Sequence, residues 1–373
     1  MFVRRAKLIL LYNGVNISKD ISADLNTATW TDKSGSEAND ISVNLHNTHG
    51  KWSNEWFPSK GAKLTASIEI QNWDGKGDMA ILPCGTFEID QIDISGGTGG
   101  SKVTIKGLSV PITSKARGNK KTKAWHDMKL SLIAAEITKN AGLALYLELG
   151  NDPVYQREDQ VEETDLGFLQ GLCSDAGATL KVSHDKIVIF DQGKREAEDA
   201  VLIVTPKMVD NWSFSSKSNK VYKAAKIGYH DPEADEDFNF EIGADLANLS
   251  GKDENDRVLV LNKRVKSQAE AEALAKNSLR ENNKSEVTGS FSCIGDIRLV
   301  AGVNVQMQGF GKFDGKYVID TATHSIGNKY GVSIQIRRTP GVSAEGGKKA
   351  KSVPWADVSK YEWINKEGTG AYR

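Results

Sequence analysis

The sequence has few of the residues on which redox, metal or membrane chemistry depends. Only three cysteines occur in 373 residues, Cys84, Cys173 and Cys293, and they are widely spaced with no C-x-x-C pair. That leaves no disulfide framework and no zinc-finger spacing, and it fits synthesis and assembly in a reducing cytoplasm. No apolar run approaches the ~20 residues that span a bilayer. The longest near the N-terminus, Leu8 to Tyr12, is too short for a signal-peptide core and ends in the turn pair Asn13-Gly14, so it reads as a first strand. Neither sign of charge is in excess. Lys and Arg number 48 against 49 Asp and Glu, and the concentrated positive charge of a specific nucleic-acid binder is missing. With 39% hydrophobic and 26% charged residues, the chain is globular in composition and long enough for two or three domains.

What is present is a repeat. GTFEIDQIDISGGTGGSKVTIK, from Gly85 to Lys106, returns about 230 positions later as GKYVIDTATHSIGNKYGVSIQI, from Gly315 to Ile336. Gly85, Phe87, Ile89 and Asp90 align with Gly315, Tyr317, Ile319 and Asp320, and Val103 and Ile105 align with Val332 and Ile334 across one gap. Upstream of each copy a glycine opens an alternating stretch, GAKLTASIEI at Gly61 and GVNVQMQG at Gly302, as half-buried strands do. Two related β-domains are therefore expected, and a trimer of such a chain presents six of them.

Between the copies the period changes. The basic run Lys115 to Lys123 reads as a solvated linker. Apolar residues at Leu130, Ile133, Ala134, Ile137 and Ala141 then predict a helix from Met128, with Asp127 as N-cap and Gly142 just past its end. A strand LALYLEL follows, then a second helix from Thr164 and Asp165 closed by Gly177, then a hairpin to Asp191. A third helix is expected from about Gln268 to Asn282 behind a Ser267 cap. The expected fold class is α+β, mainly β: two related β-domains flanking a small α/β module, with an extended C-terminal tail; that the two are tube-like β-barrel domains is what the family resemblance described below implies. The expected divisions are 1–114, first β-barrel; 115–123, basic linker; 124–205, α/β insert; 206–340, second β-barrel with one helix; and 341–373, linker and docking tail.

Candidate chemical sites are sparse. His46 and His49 have no third ligand nearby, and the acidic loop holding Asp231, Glu233, Asp235, Glu236 and Asp237 lacks the glycine and terminal glutamate of an EF-hand. Gly309, Gly311 and Gly315 fit turns rather than phosphate binding, and Cys173 falls on the apolar face of a helix. No catalytic residue, metal or cofactor is expected. Trp52, Trp56 and Trp73 could stack on sugars if exposed, which keeps a carbohydrate-binding protein or adhesin as the alternative reading. A tail-associated peptidoglycan hydrolase is a further alternative, but no carboxylate pair stands out to serve it. Trp355, Tyr361 and Trp363 lie on a short terminal segment, where aromatics typically anchor a peptide on a partner.

Residues Gln160 to Asp191 resemble a motif in the hub part of type VI secretion spike proteins and phage baseplate hubs, carried by Gln160, Glu163, Thr164, Asp165, Phe168, Leu169, Leu172, Gly177 and Asp191. Leu299 to Gly327 resembles the C-terminal pattern of the phage late control protein D family, through Gly302, Gly309, Gly315, Tyr317 and His324. The resemblance implies a central hub of a contractile injection system: a homotrimer forming a pseudo-sixfold ring that joins a sixfold tail tube to a threefold central spike. Implied partners are the spike, the tail tube or its initiator, baseplate wedge or sheath-proximal proteins, and a tape-measure protein in the channel. The implied location is the host cytoplasm during assembly, then the virion tail. Type VI spike proteins continue into an oligosaccharide-binding-like domain and a β-helix; nothing here after Arg338 is long enough for either, so the spike would be a separate protein held by the aromatic tail.

Overall fold

The computed structural model describes residues 3–339 apart from 36, 74, 110–118, 184, 218–220, 232–235, 244–256, 264 and 266, with backbone alone at 229–231 and 236–238. The period-2 patterning of the first hundred residues becomes seven strands: β1 (Arg5–Tyr12), β2 (Val15–Asn16), β3 (Leu25–Lys33), β4 (Asp40–His46), β5 (Lys63–Gln71), β6 (Met79–Gly97) and β7 (Gly100–Leu108). They are antiparallel in the order β3-β4-β7-β6-β5-β1-β2. In β5, Leu64, Ala66, Ile68 and Ile70 are buried while the residues between them are only partly so, as a strand with one covered face requires. Leu10, Val43, Leu45, Leu64, Ile89 and Ile105, from five strands, line one interior cavity of about 320 Å³, so the sheet curls around its own apolar face. A one-turn helix, α1 (Ser18–Ile21), packs against β1.

The same sheet continues into the C-terminal half. β14 (Asn211–Ser216), β18 (Val287–Ile294), β21 (Tyr330–Arg338) and β20 (Gly315–Ile326) follow one another, with β19 (Asn304–Met307) on β20 and β13 (Leu202–Val204) on β19. β20 also pairs with β3, which merges the halves into one 13-stranded sheet. A single apolar core runs through both, from Leu8 and Trp30 to Tyr317 and Ile336.

Between the halves lies the α/β insert. β8 (Lys120–Lys129) and β10 (Val154–Thr164) form a ribbon, and β11 (Ala178–Val182), β12 (Lys186–Asp191) and β9 (Ala144–Glu148) form a small sheet. Helices α2 (Leu130–Ala141) and α3 (Asp165–Asp175) bury Leu130, Ile133 and Ile137, and Phe168, Leu169 and Cys173, against Leu180, Val182, Ile187 and Ile189. Two expectations are corrected here. Lys120 to Lys123 belong to β8 rather than to a linker, and helix α2 starts at Leu130 instead of Met128, without Asp127 as its cap. The cause is tertiary: β8 stays paired with β10 through Lys129 opposite Val154, and Asp152 from the neighbouring loop accepts the Ser131 backbone N–H at 2.9 Å. A short helix, α4 (Gln192–Ala197), leads from β12 toward β13.

A second layer, β15 (Ala224–Asp231), β16 (Glu236–Gly243) and β17 (Val258–Leu261), is covered by helix α5 (Gln268–Asn283) through Ala271, Ala275 and Leu279. Ser267 caps α5 as expected, accepting the Glu270 N–H at 3.2 Å. One buried knot ties the parts together. Lys181 of β11, 1% exposed, donates to Asp32 of β3 at 2.8 Å, and the same carboxylate accepts Asn39 Nδ2 at 3.0 Å and the Ala301 backbone N–H at 2.9 Å.

Candidate functional site

The repeat in the sequence is a repeat in hydrogen bonding. Gly61 donates its N–H to the Ile89 carbonyl at 2.9 Å, and Gly302 donates to Ile319 at 2.7 Å; Ile89 and Ile319 donate back to Ala62 and Val303. The opening glycines share a left-handed φ, +81° at Gly61 and +90° at Gly302, a conformation in which a Cβ would be strained. In both copies the register slips by one residue at the aligned aspartate, between Ile89 and Gln91 and between Ile319 and Thr321. These bulges bend β6 and β20 at the same place, so the first half of each strand pairs with one neighbour and the second half is turned toward another.

Carrying the equivalence outward matches β4 with β18 and β3 with β14. Each unit thus has the order outer strand, second strand, returning hairpin strand, bulged strand, which is β3-β4-β7-β6 and β14-β18-β21-β20. Within the chain, the bulged strand of the second unit meets the outer strand of the first. Thr321 to Ile326 pair with Lys33 to Ala28, His324 stacks on Trp30 with centroids 5.1 Å apart, and Trp73 donates to the Gly295 carbonyl at 2.9 Å. The counterparts of those edges carry no strand among the described residues. They are Gln91 to Gly97 of β6 on the side away from β7, and β14 on the side away from β18.

The face opposite the core is polar across all eight of these strands. It carries Asn211, Ser213 and Ser215, then Thr288, Ser290 and Ser292, then Ser333 and Gln335, then Thr321, Thr323 and Ser325. It continues over Thr27, Thr29 and Thr31, then Ser42 and Asn44, then Lys102, Thr104 and Lys106, and ends at Gln91, Asp93 and Ser95. Neighbouring groups satisfy one another: Thr104 Oγ1 donates to Asn44 Oδ1 at 2.7 Å, and Asn211 Nδ2 donates to Ser292 Oγ at 2.8 Å. The result is a broad surface of hydroxyls and amides that also carries Lys33, Asp40, Asp93, Lys102 and Lys106, with Lys33 paired to Asp40 and Lys106 to Asp93.

The residues singled out by motif prove to build local structure. Gln160, fully buried, donates to the Glu163 carbonyl and to Asp165 Oδ1, both at 3.0 Å, across a bulge in β10. Thr164 caps α3 by accepting the Gly167 N–H at 3.2 Å, Asp165 is also paired with Lys121, and Phe168 stacks on Trp125. The Glu163 side chain is exposed. Gly315 opens β20 with φ +144°, and Tyr317 is buried with its hydroxyl donating to the Phe313 carbonyl at 2.8 Å. His324 is buried between Tyr330 and the Leu299 carbonyl, and burial pushes its pKa down to about 4. A carbonyl can only accept, so Nε2 carries the proton and Nδ1 accepts from the Tyr330 hydroxyl. Cys173 is packed, its thiol pushed up to about 12 by burial.

The sugar-stacking alternative is corrected. Trp52 and Trp73 are only 2% and 8% exposed, and Trp56 lies half-buried, edge-on to Trp52 and capped by Lys51 at 4.0 Å. Trp52 and Trp56 line the cavity of the first unit, where large rings fill the gap between its strands, whereas Trp73 packs on Tyr330 at the junction with the second unit. His46 is exposed at the end of β4, with His49 in the turn beyond it. The side chains of Asp231, Glu236 and Asp237, residues 233 and 235, and Trp355, Tyr361 and Trp363 lie outside the described residues. Asp32, Lys181, Trp30, Ile94 and Trp212 were not singled out by sequence; of these only Ile94 falls inside the aligned repeat, and Trp30 and Trp212 are matched to the second copy and the first only through strand order.

The model of the phage tail baseplate hub (GPD) family matches residues 110–330. The chain belongs to that family. Two curated relatives, described as probable baseplate hub proteins of Escherichia phages 186 and P2, are 29% and 28% identical over 187 and 190 residues. Each match spans 50% of this chain and 45% of the relative, so the chain covers under half the length of these hub proteins. Among solved structures, the fold is similar to the 43 kDa tail protein of prophage MuSo2 from Shewanella oneidensis, with TM-score 0.66, 14% identity and coverage of 91% of this chain and 100% of that one. A tail protein from Neisseria meningitidis MC58 gives 0.64 at 10% identity, covering 89% and 96%. An E. coli component of the type VI secretion system gives 0.55 at 10% identity, covering 94% and 80%. The hub chain thus has the fold of phage tail proteins and their secretion-system relatives.

Proposed function

We propose that this baseplate hub protein assembles as a homotrimer whose six β-units form a pseudo-sixfold ring, joining a sixfold tail tube to a threefold central spike. The observation that carries the reading is the β3–β20 pairing. One unit already extends the sheet of the other within the chain, and the equivalent edges at the two ends are open. Repeating that junction between chains satisfies the exposed backbone groups and closes when the rotation per unit is about one sixth of a turn. Eight strands per chain give about 24 around the axis. At ~4.8 Å per strand and a tilt of ~40°, the circle is about 48 Å across. Subtracting side chains leaves roughly 35 Å, room for several α-helices of ~10–12 Å such as a tape-measure bundle.

In that ring the hydroxyl and amide face lines the channel. Such a lining offers weak, exchangeable hydrogen bonds, and four of its charges offset one another in the Lys33–Asp40 and Lys106–Asp93 pairs, so a passing polymer is not held. The tube or its initiator would meet one rim, the spike the other, and wedge or sheath-proximal proteins the outside. Trp355, Tyr361 and Trp363 would anchor the spike. Assembly would take place in the host cytoplasm, with the finished hub in the virion tail. Native mass spectrometry of the full chain, alone and with its spike, tests the reading. A trimer is expected in at least one sample, and a dimer or a monomer in both would overturn it.

A further inference from the structure

Resting on the ring reading, we infer the residues of the seam between chains: β14 of one copy docks antiparallel on Gln91 to Gly97 of β6 in the next. The register is fixed by the internal junction. There, Ser325 lies opposite Thr29, His324 opposite Trp30 and Ile326 opposite Ala28. Ser95, Ile94 and Gly96 are the counterparts of Ser325, His324 and Ile326 through the shared bulge and hairpin pairing. Ser213, Phe214 and Trp212 are the counterparts of Thr29, Trp30 and Ala28 through β4 and β18. The seam therefore sets Ser213 against Ser95, Phe214 against Ile94, and Trp212 against Gly96.

Three features of this chain fit a second copy as the occupant. Trp212 and Ile94 are 52% and 46% exposed, large apolar side chains that the seam would cover on one face. Gly96 presents no side chain, and the indole opposite it would lie over bare backbone, an arrangement known to offset the weakness of a strand glycine. Neither edge is guarded within its strand, Lys217 standing one residue past β14 where it would face Gln91 as Lys33 faces Thr321. NWSFSS of β14 has no charge and no proline, and QIDISGG has a single aspartate, Asp93, already engaged by Lys106. Strands that must stay unpaired usually carry lysine or proline on such an edge.

The two kinds of junction differ in chemistry. Inside the chain, Asp32 and Lys181 add a buried ion pair and His324 stacks on Trp30. Between chains, Ser216 takes the place of Asp32 and Ile94 that of His324, so the seam has no buried ion pair and is apolar and hydroxyl-lined apart from Asp93, which Lys106 engages. It is the junction able to open and re-form during assembly.

The test uses the full-length chain carrying Ser95→Cys and Ser213→Cys, oxidised and resolved without reductant, beside native mass spectrometry. Covalent dimers and trimers with nothing larger are expected, and the out-of-register pair Ser95→Cys with Asn211→Cys should cross-link at least tenfold less. Trp212→Asp should abolish the trimer while leaving a folded monomer, because that side chain is half in solvent. A native trimer that does not cross-link would overturn this seam and leave the ring standing. Cross-linking by Ser213→Cys alone, which reports β14 paired with itself, would also overturn it. A wild-type chain that never trimerises would remove the ring reading and the seam with it.

Discussion

Acid should loosen the link between the two β-units, and His324 sets the size of the effect. The imidazole is neutral and buried at the β3–β20 junction, stacked on Trp30, with Nε2–H donating to the Leu299 carbonyl and Nδ1 accepting from Tyr330. Burial lowers its pKa from an ordinary 6.5 to about 4. The unfolded chain therefore takes up this proton first as pH falls. The contribution is complete above pH 6.5 and is lost progressively down to about pH 4. At 1.36 kcal/mol per pKa unit the full loss is about 3 kcal/mol, of which about 2.5 is lost at pH ~4.5. Urea unfolding of the wild type and of His324→Phe at pH ~7.5 and ~4.5 isolates the term, because every other titratable group is common to the two proteins. The wild type should lose about 2.5 kcal/mol more than the variant between the two pH values. Equal losses, or an imidazole resonance in the folded protein titrating near its ordinary value, would refute the argument.

Lys181→Met should destabilise the fold by about 3–5 kcal/mol, since it leaves the Asp32 carboxylate buried with only Asn39 and the Ala301 N–H to meet it; denaturant unfolding measures the loss. Thr164→Ala should cost about 1 kcal/mol by removing the α3 cap, read in the same assay. Gly295→Ala should cost roughly 1–3 kcal/mol, because a Cβ there would lie 2.2 Å from the Tyr330 ring; near-ultraviolet circular dichroism should show the Trp73–Tyr330 contact disturbed.

Much of this was legible in the sequence because it rests on short-range pattern. The glycine-led strands, the Ala-Gly helix ends and the Ser267 cap are set within a few residues, and they form where the pattern puts them. The start of α2 was not legible: Met128 and Lys129 have helical company but are held in β8 by pairing with a strand 25 residues further on. The exposure of Trp52 and Trp73 could not be read either, since alternation does not say which face of a curled sheet is inside. The Lys181–Asp32 knot spans 149 positions, and an isolated lysine and aspartate carry no local sign that they will meet. The repeat was visible, and with it the six units a trimer would present, but not which strand edges are already used, because that depends on strand order.

Symmetry divides the surface into parts that occur once per chain and parts that occur twice. The four-strand unit with the polar face occurs twice per chain, so a trimer offers it six times. The α/β insert, with α2 and α3, and the layer of β15 to β17 with α5 have no counterpart among the described residues of the first unit, so a trimer offers them three times. A sixfold tube should therefore rest on features shared by the two units, such as the glycine-led strands at Gly61 and Gly302. A threefold spike can use single-copy surface without mismatch, because each of its chains then meets an identical environment. Both single-copy parts are joined to each other, through Asn277 donating to the Asp175 carbonyl at 2.9 Å and through the Arg280–Glu196 pair, so they form one platform per chain. Cross-linking mass spectrometry on intact particles should find spike cross-links concentrated in the insert and in the α5 layer. Cross-links falling equally on aligned positions of both β-units, such as Lys63 and its counterpart Asn304 with their neighbours, would mean that the spike reads the sixfold face, and the division of labour would be wrong.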